Sequence, residues 1–319
     1  MPHKQRTLRG FLLRAVTPLL LALVAAVGGV FLRFRQVMAE NDTRIHESSR
    51  LVTTDCGPIE VGTVGEGRPV LVLHGAGGGY DQGLLAAEQL GEGYRVIAPS
   101  RFGYLGTPIP DDATVSAQAD AYACLLDQLG IERVSVIAVS AGGPSALQFA
   151  LRYPQRVDAL ILVSAVSTLR PIRDDSSGPS SAMLTDFVLW LATTAAPDTV
   201  LSAVGVPPAS LAKVTPAERA QMQTTVDIFQ PMSRRLPGMN LDALEQDRPE
   251  VAALPLEDIS APTLVIHALD DSLIPIAQGE NSAARIPGAR LVTLDYGGHF
   301  AFVTEAATRE IRAFLDRPR

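Results

Sequence analysis

Short apolar runs recur along this chain, at residues 69–73, 94–98, 134–139, 159–163, 263–267 and 290–294. Helical patterns lie between them: residues 84–90, and residues 115–129, where Ala119, Tyr122, Ala123, Leu126 and Leu129 follow a helical period up to Gly130. Parallel strands must be joined by a crossover, normally a helix, so this alternation predicts βαβ units and a parallel sheet. Two further strands, residues 51–54 and 59–64, precede it. Gly57 and Pro58 between them predict a hairpin turn.

The run at 134–139 carries no charge and breaks sharply at Ser140. A helix is expected from about Ala141, because Pro144 suits a first turn and Ala146, Leu147, Phe149 and Ala150 follow. A serine on such a turn is held away from the backbone, and the N–H groups after it point toward whatever binds there. The local pattern is Ala138-x-Ser140-x-Gly142, a Gly-x-Ser-x-Gly nucleophile elbow with one added methyl where strand and helix pack closest. Alone it is also an ordinary strand-to-helix turn, so its meaning depends on the rest of the chain.

Upstream, the strand at 69–73 runs into His74, Gly75, Ala76, Gly77, Gly78 and Gly79. A dinucleotide loop read from Gly75 would need glycine at position 80, where Tyr80 stands. The other use of such a turn is an oxyanion hole, in which glycines let the backbone approach a substrate with an N–H aimed at it. Residues 99–108 contain too many Gly and Pro for a regular element.

From about residue 168 to 256 the alternation stops and Pro, Ser, Thr and Met increase. Thr215, Pro216 and Glu218 form a capping box that opens a helix. Residues 182–191 are almost wholly apolar, with Met183, Phe187 and Trp190 on one stripe and Leu184, Val188 and Leu191 opposite. One face is expected to pack and the other to line a pocket. The stretch reads as an inserted helical cap.

Three side chains then fall just past the ends of strands: Ser140, an aspartate at 270 or 271, and His299. Open α/β sheets place their sites there. A serine hydroxyl is a poor nucleophile until an imidazole removes its proton, and the imidazole needs a carboxylate to hold its tautomer. With His74-Gly-x-Gly-Gly, Asp271-x-x-x-Pro275 and Gly298-His299, the chain resembles the α/β-hydrolase superfamily over residues 51–168 and 256–319. The resemblance implies a mostly parallel sheet flanked by helices. It makes Ser140 the nucleophile, His299 the general base and Asp271, four residues before the proline, the orienting acid. Asp270 is the rival for that last role. The N–H groups of Ala76 and Ala141 would form the oxyanion hole. His74 and His267 are expected to be structural, and Asp295 a strand-end residue. The implied activity is serine hydrolysis of a small ester, lactone, thioester or activated carbonyl compound. Carbon–carbon bond hydrolysis, haloperoxidase-like activity and a non-catalytic ligand-binding role remain as alternatives. No cofactor or metal is implied.

Net charge is −7 over 319 residues with no basic block beyond the N-terminal region, which argues against a nucleic-acid partner. Cys56 and Cys124, the only cysteines, suggest neither a disulfide framework nor a zinc site. Residues 15–32 carry no charge over about 27 Å as a helix, nearly one hydrocarbon core. Lys4, Arg6, Arg9 and Arg14 precede them, and Arg33 and Arg35 follow. An uncleaved membrane anchor with the rest of the chain outside is expected. Val37, Met38 and Ala39 leave open a cleaved signal and a secreted protein. The expected organisation is a membrane segment at 1–40, core at 41–168, cap at 169–255 and core again at 256–319.

Overall fold

A computed structural model describes residues 2–168, 186–246 and 249–317, with side chains from residue 17 onward and outside 244–249. It divides into two compact units, Met1–Arg44 and Ile45–Arg319.

The first unit lies within one helix, α1 (Pro2–Glu47). Its part Thr17–Glu47 is long and apolar enough to cross a membrane, and Leu19, Leu21, Val27 and Leu32 are exposed along it. Asn41, Asp42 and Glu47 make the stretch after residue 40 polar, yet the helix continues to Glu47. The Gln36 amide donates to Glu40 one turn on (2.8 Å), and Thr43 Oγ1 donates to the Ala39 carbonyl. Such local pairs satisfy polar side chains without breaking the helical ladder.

The second unit is built on an eight-stranded sheet. In chain order come β1 (Arg50–Thr54), β2 (Gly57–Val64), β3 (Arg68–Leu73), α2 (Tyr80–Leu90), β4 (Tyr94–Pro99), α3 (Val115–Gln128), β5 (Val134–Val139), α4 (Gly143–Arg152) and β6 (Val157–Val163). The spatial order is β1-β2-β4-β3-β5-β6-β7-β8. The hairpin strands β1 and β2 are antiparallel, and β2 joins β4 antiparallel; every later pairing is parallel. All six residues of β5 are buried, as expected of a strand covered by helices on both faces.

The chain leaves β3 through α2 to β4 on one side, then returns through α3 to β5 on the other. The winding therefore reverses between β3 and β5, which pair with Leu73 opposite Ala138. Crevices at such reversals, outside the carboxyl ends of the strands, are where open α/β sheets bind ligands.

Between β6 and β7 the described residues form helices only: α5 (Asp186–Ala195), α6 (Pro197–Ala203), α7 (Pro208–Leu211), α8 (Pro216–Ile228), α9 (Leu236–Gln246) and α10 (Pro249–Ala252). The Thr215–Glu218 capping box is present at the start of α8. Val206, Leu211, Met222, Val226, Phe229 and Met232 of this insertion bury a core shared with Phe300 and Val303. The sheet resumes with β7 (Thr263–Ala268), α11 (Ala277–Arg285) and β8 (Arg290–Leu294), and α12 (Glu305–Leu315) ends the chain's regular structure.

One expectation is overturned: Cys56 and Cys124 are joined by a disulfide. Cys56 sits in the β1–β2 turn, Cys124 on α3, and their Cα atoms are 6.0 Å apart although 68 residues separate them. Spacing along the chain carried no sign of this, because packing of the hairpin on α3 creates the proximity. Closing so long a loop restricts the unfolded chain and stabilises the fold by about 4 kcal/mol.

Candidate active site

Ser140 caps β5 with φ of 51°, a left-handed conformation that L-residues other than glycine adopt at a cost of about 1–3 kcal/mol. The Ser140 carbonyl accepts from Val166 N–H (3.0 Å), which ties the turn to the segment after β6. Gly142 lies two residues on. A Cβ there would stand 2.7 Å from the Leu73 carbonyl oxygen and 2.8 Å from that of His74, so only glycine lets the elbow pack against the end of β3. The neighbouring turn in fact comes close: a Cβ on Gly75 would be 3.1 Å from Ser140 Cβ.

His299 follows β8 in the short helical segment Gly298–Val303, and Asp271 follows β7. The structure brings the three side chains together. His299 Nε2 is 2.9 Å from Ser140 Oγ, and His299 Nδ1 is 2.9 Å from Asp271 Oδ2. A carboxylate can only accept, so Nδ1 carries the proton and Nε2 faces the serine as an acceptor. Asp271 Oδ1 accepts from the Leu273 and Ile274 N–H groups at 2.9 and 2.8 Å. Burial by itself raises the Asp271 carboxyl; the His299 imidazole and hydrogen bonds from His267, His299 and Ile274 N–H outweigh it and hold the group well below the usual carboxylate range. All three side chains are at least nine-tenths buried.

Asp270 is spent elsewhere. Its Oδ2 accepts from Ser210 Oγ and its Oδ1 from Gly298 N–H (2.9 Å), so it fastens α7 to the turn that carries His299. Ser210 Oγ also accepts from Gly297 N–H at 2.8 Å. The insertion meets the same turn again where His299 N–H donates to the Gly205 carbonyl (2.8 Å).

The turn after β3 is held from inside. His74 Nε2 accepts from Arg101 N–H (2.9 Å), and His74 Nδ1–H donates to the Gly75 carbonyl (2.7 Å). Burial, then the nearby Arg101 charge, pull the His74 imidazole well below its ordinary pKa, so it is neutral. Gly75 N–H donates to Gln82 Oε1 at 2.8 Å. Ala76 alone in the 74–79 turn is not fully buried. Ala141, at the start of the helical turn after Ser140, is buried, and its N–H belongs to the first turn, where no intrahelical acceptor exists.

His267 is fully buried, with Nε2–H donating to the Ile274 carbonyl (2.9 Å) and lying 3.5 Å from Asp271 Oδ2. Asp295 is exposed at the end of β8. On α5, Trp190 is buried and in ring contact with Phe187, which is 37% exposed; Met183 lies outside the described residues. Among the described residues no cluster of His, Cys, Asp or Glu has the arrangement of a metal site.

Residues 68–306 match the family of the alpha/beta hydrolase fold, about three-quarters of the chain by length. The chain belongs to the α/β-hydrolase family. It is 30% identical over 268 residues to an uncharacterised hydrolase of Bacillus subtilis, covering 80% of this chain and 93% of that one. It is also 30% identical over 258 residues to a putative carbamate hydrolase of Klebsiella pneumoniae, covering 76% of this chain and 88% of that one. A solved α/β-hydrolase-fold protein from Nakamurella multipartita superposes with a TM-score of 0.70 at 32% identity, covering 84% of this chain and 97% of that one.

Reading the sequence missed Arg101, Asp81, Arg235 and Asp242, which surround the turn at 74–79 with two buried ion pairs. Arg101 binds Asp242 through both terminal guanidinium nitrogens (2.5 and 2.7 Å), and Arg235 binds Asp81 likewise (3.0 and 2.8 Å). The only sequence sign was a lone arginine in the Gly- and Pro-rich 99–108 loop. Its partner lies 141 residues away.

Proposed function

We propose that this hydrolase of the α/β-hydrolase family acts through an acyl-enzyme on a small ester, lactone, thioester or activated carbonyl compound, with Ser140 as nucleophile. The observation that carries the reading is His299 spanning Ser140 Oγ and Asp271, 2.9 Å from each. As Ser140 Oγ attacks the carbonyl carbon, its proton passes to His299 Nε2. The imidazolium so formed is stabilised by the Asp271 carboxylate at Nδ1. The carbonyl oxygen becomes an oxyanion, and the N–H groups of Ala141 and Ala76 bind it. His299 then gives the proton to the leaving group, and a water deprotonated by the same imidazole releases the acid from Ser140. The described helices α5 to α10 belong to the cap in this reading, and Trp190, with Phe187, lines the substrate side of it.

A fluorophosphonate serine probe should label the wild-type chain and leave Ser140→Ala unlabelled; equal labelling of both would remove Ser140 as the nucleophile. One relative is named a 2-hydroxymuconate semialdehyde hydrolase, at 28% identity over 249 residues, so a carbon–carbon bond substrate belongs in the same panel as short and long esters.

Residues 15–32 act as an uncleaved anchor in the same proposal, with the catalytic unit on the outer side. The Cys56–Cys124 bridge supports that side, because disulfides persist in oxidising compartments. The full chain should stay with membranes through carbonate washing, and a chain starting at Asn41 should be soluble and equally active. A mature N-terminus at Glu40 in the native host would establish secretion instead.

A further inference from the structure

The turn at 74–78 is gripped at both ends by arginines whose charges are paired across the boundary between sheet unit and insertion. At its start, core Arg101 donates Nε–H to the His74 carbonyl (3.0 Å) and its own backbone N–H to the His74 ring, while its guanidinium fork is taken by Asp242 of α9. Burial disfavours the charge on Arg101, but the Asp242 carboxylate outweighs this and raises the guanidinium above its ordinary value. Tyr104 adds a hydroxyl donated to the same carboxylate and packs edge-on against the His74 ring at 4.6 Å. At the other end the polarity is reversed. Arg235 comes from the insertion, donates to the Gly78 carbonyl (2.6 Å), and is paired with Asp81 in the first turn of α2.

Each guanidinium thus does two things at once: it caps a carbonyl of the turn and closes a salt bridge between the sheet region and the insertion. The backbone joins in, with Gly238 N–H donating to the Gly103 carbonyl (2.9 Å) and Leu105 N–H to that of Arg234 (3.0 Å). A Cβ on Gly238 would fall 2.1 Å from the Tyr104 ring, so the two segments touch with no room between them. Neither ion pair contacts Ser140 or His299 among the bonds described above. Their shared target is the turn carrying Ala76.

We propose that Arg235 and Asp242 of the insertion are positioning residues for the oxyanion hole: the crossed ion pairs Arg101–Asp242 and Arg235–Asp81 set the backbone of residues 74–78, and with it the Ala76 N–H. The proposal rests on the serine-hydrolase reading above. It makes the insertion part of the rate-determining machinery as well as a wall of the pocket. A misplacement of about 1 Å in such a donor costs on the order of 10²-fold in rate.

The test compares three proteins at equal amounts of titrated Ser140. Arg235→Lys keeps the charge against Asp81 but cannot hold the fork and the Gly78 carbonyl together. The double change Arg101→Met with Asp242→Leu removes a buried pair without orphaning either charge, a replacement buried pairs tolerate. Arg152→Lys alters an exposed pair with Asp120 far from the turn and serves as the control. For the first two, kcat should fall about 10- to 100-fold with KM within threefold, by the same factor for small and large esters. Affinity for a boronic acid transition-state analogue should fall in parallel with kcat/KM. A merely structural role would lower Tm and leave kcat per titrated site unchanged; that outcome, or unchanged analogue affinity, overturns the proposal. Turnover surviving in Ser140→Ala would overturn the serine reading instead, whereas an inactive Ser140→Ala beside a fully active Arg235→Lys overturns only the coupling.

Discussion

The sheet unit and the helical insertion bring residues to the same place by different means. Ser140, Asp271 and His299 sit one to five residues beyond the ends of β5, β7 and β8, so each is aimed by the strand that precedes it. Ser210 and Asp242 come from helices and Arg235 from the turn before α9, none placed by a local pattern, and they reach the site through long-range side-chain bonds. The first arrangement is rigid because β5 and β7 are laddered to parallel neighbours on both sides and the edge strand β8 is laddered to β7. The second holds only while its buried polar partners remain matched, since an orphaned buried charge is strongly destabilising.

The largest expected effect tests the first half of that contrast. Ser140→Ala and His299→Ala should each lower kcat by on the order of 10⁴ to 10⁶, and the double variant should be little worse than either, because the groups act as a unit. Asp271→Asn should cost on the order of 10⁴ through the wrong imidazole tautomer. Asp270→Asn loosens only the contact to Ser210 and Gly298, and should stay within about tenfold of wild type. Steady-state kinetics on one activated ester decides this, and an Asp270 variant more damaged than the Asp271 variant would reverse the assignment.

A smaller effect, on stability alone, belongs to the far edge of the sheet. Replacing both Cys56 and Cys124 with serine should lower the unfolding free energy by about 4 kcal/mol. Chemical denaturation reads that loss, and kcat at low temperature should not move, since neither sulfur lies near the triad.

For the insertion, Trp190→Ala should shift KM and substrate preference by about tenfold while sparing a small activated ester. A uniform fall in kcat across a panel of chain lengths would deny Trp190 a place beside the substrate.

The smallest effect concerns the turn where the two regions meet. His74 is held neutral when folded, with its pKa well below the ordinary value, whereas in the unfolded chain it takes up a proton at about pH 6.5. Below that pH the unfolded state binds a proton the folded state refuses. Stability therefore falls as pH drops, by up to about 1.4 kcal/mol per unit until the folded pKa is reached. Unfolding curves between pH 7.5 and 5 should show this slope in wild type, and His74→Asn should flatten it by that amount.

Much of the molecule was legible in the chain itself. Buried parallel strands must be uniformly apolar and must end in turns, so β3 to β7, with the shorter apolar run of edge strand β8, the elbow at Ser140, the capping box at Thr215 and the three triad candidates all declared themselves locally. The resemblance to the family also favoured Asp271 over Asp270; in the structure Asp271 lies against His299, and Asp270 against Ser210 and Gly298. What the chain did not declare were the pairings of distant positions outside the triad. The Cys56–Cys124 bridge, the Arg101–Asp242 and Arg235–Asp81 pairs and the fastening of Gly205 to His299 each join residues dozens to more than a hundred positions apart. A single charged or sulfur-bearing side chain looks the same in sequence whether it meets solvent or a partner. Only the folded backbone, by bringing two such groups within bonding distance and excluding water from between them, determines which it is.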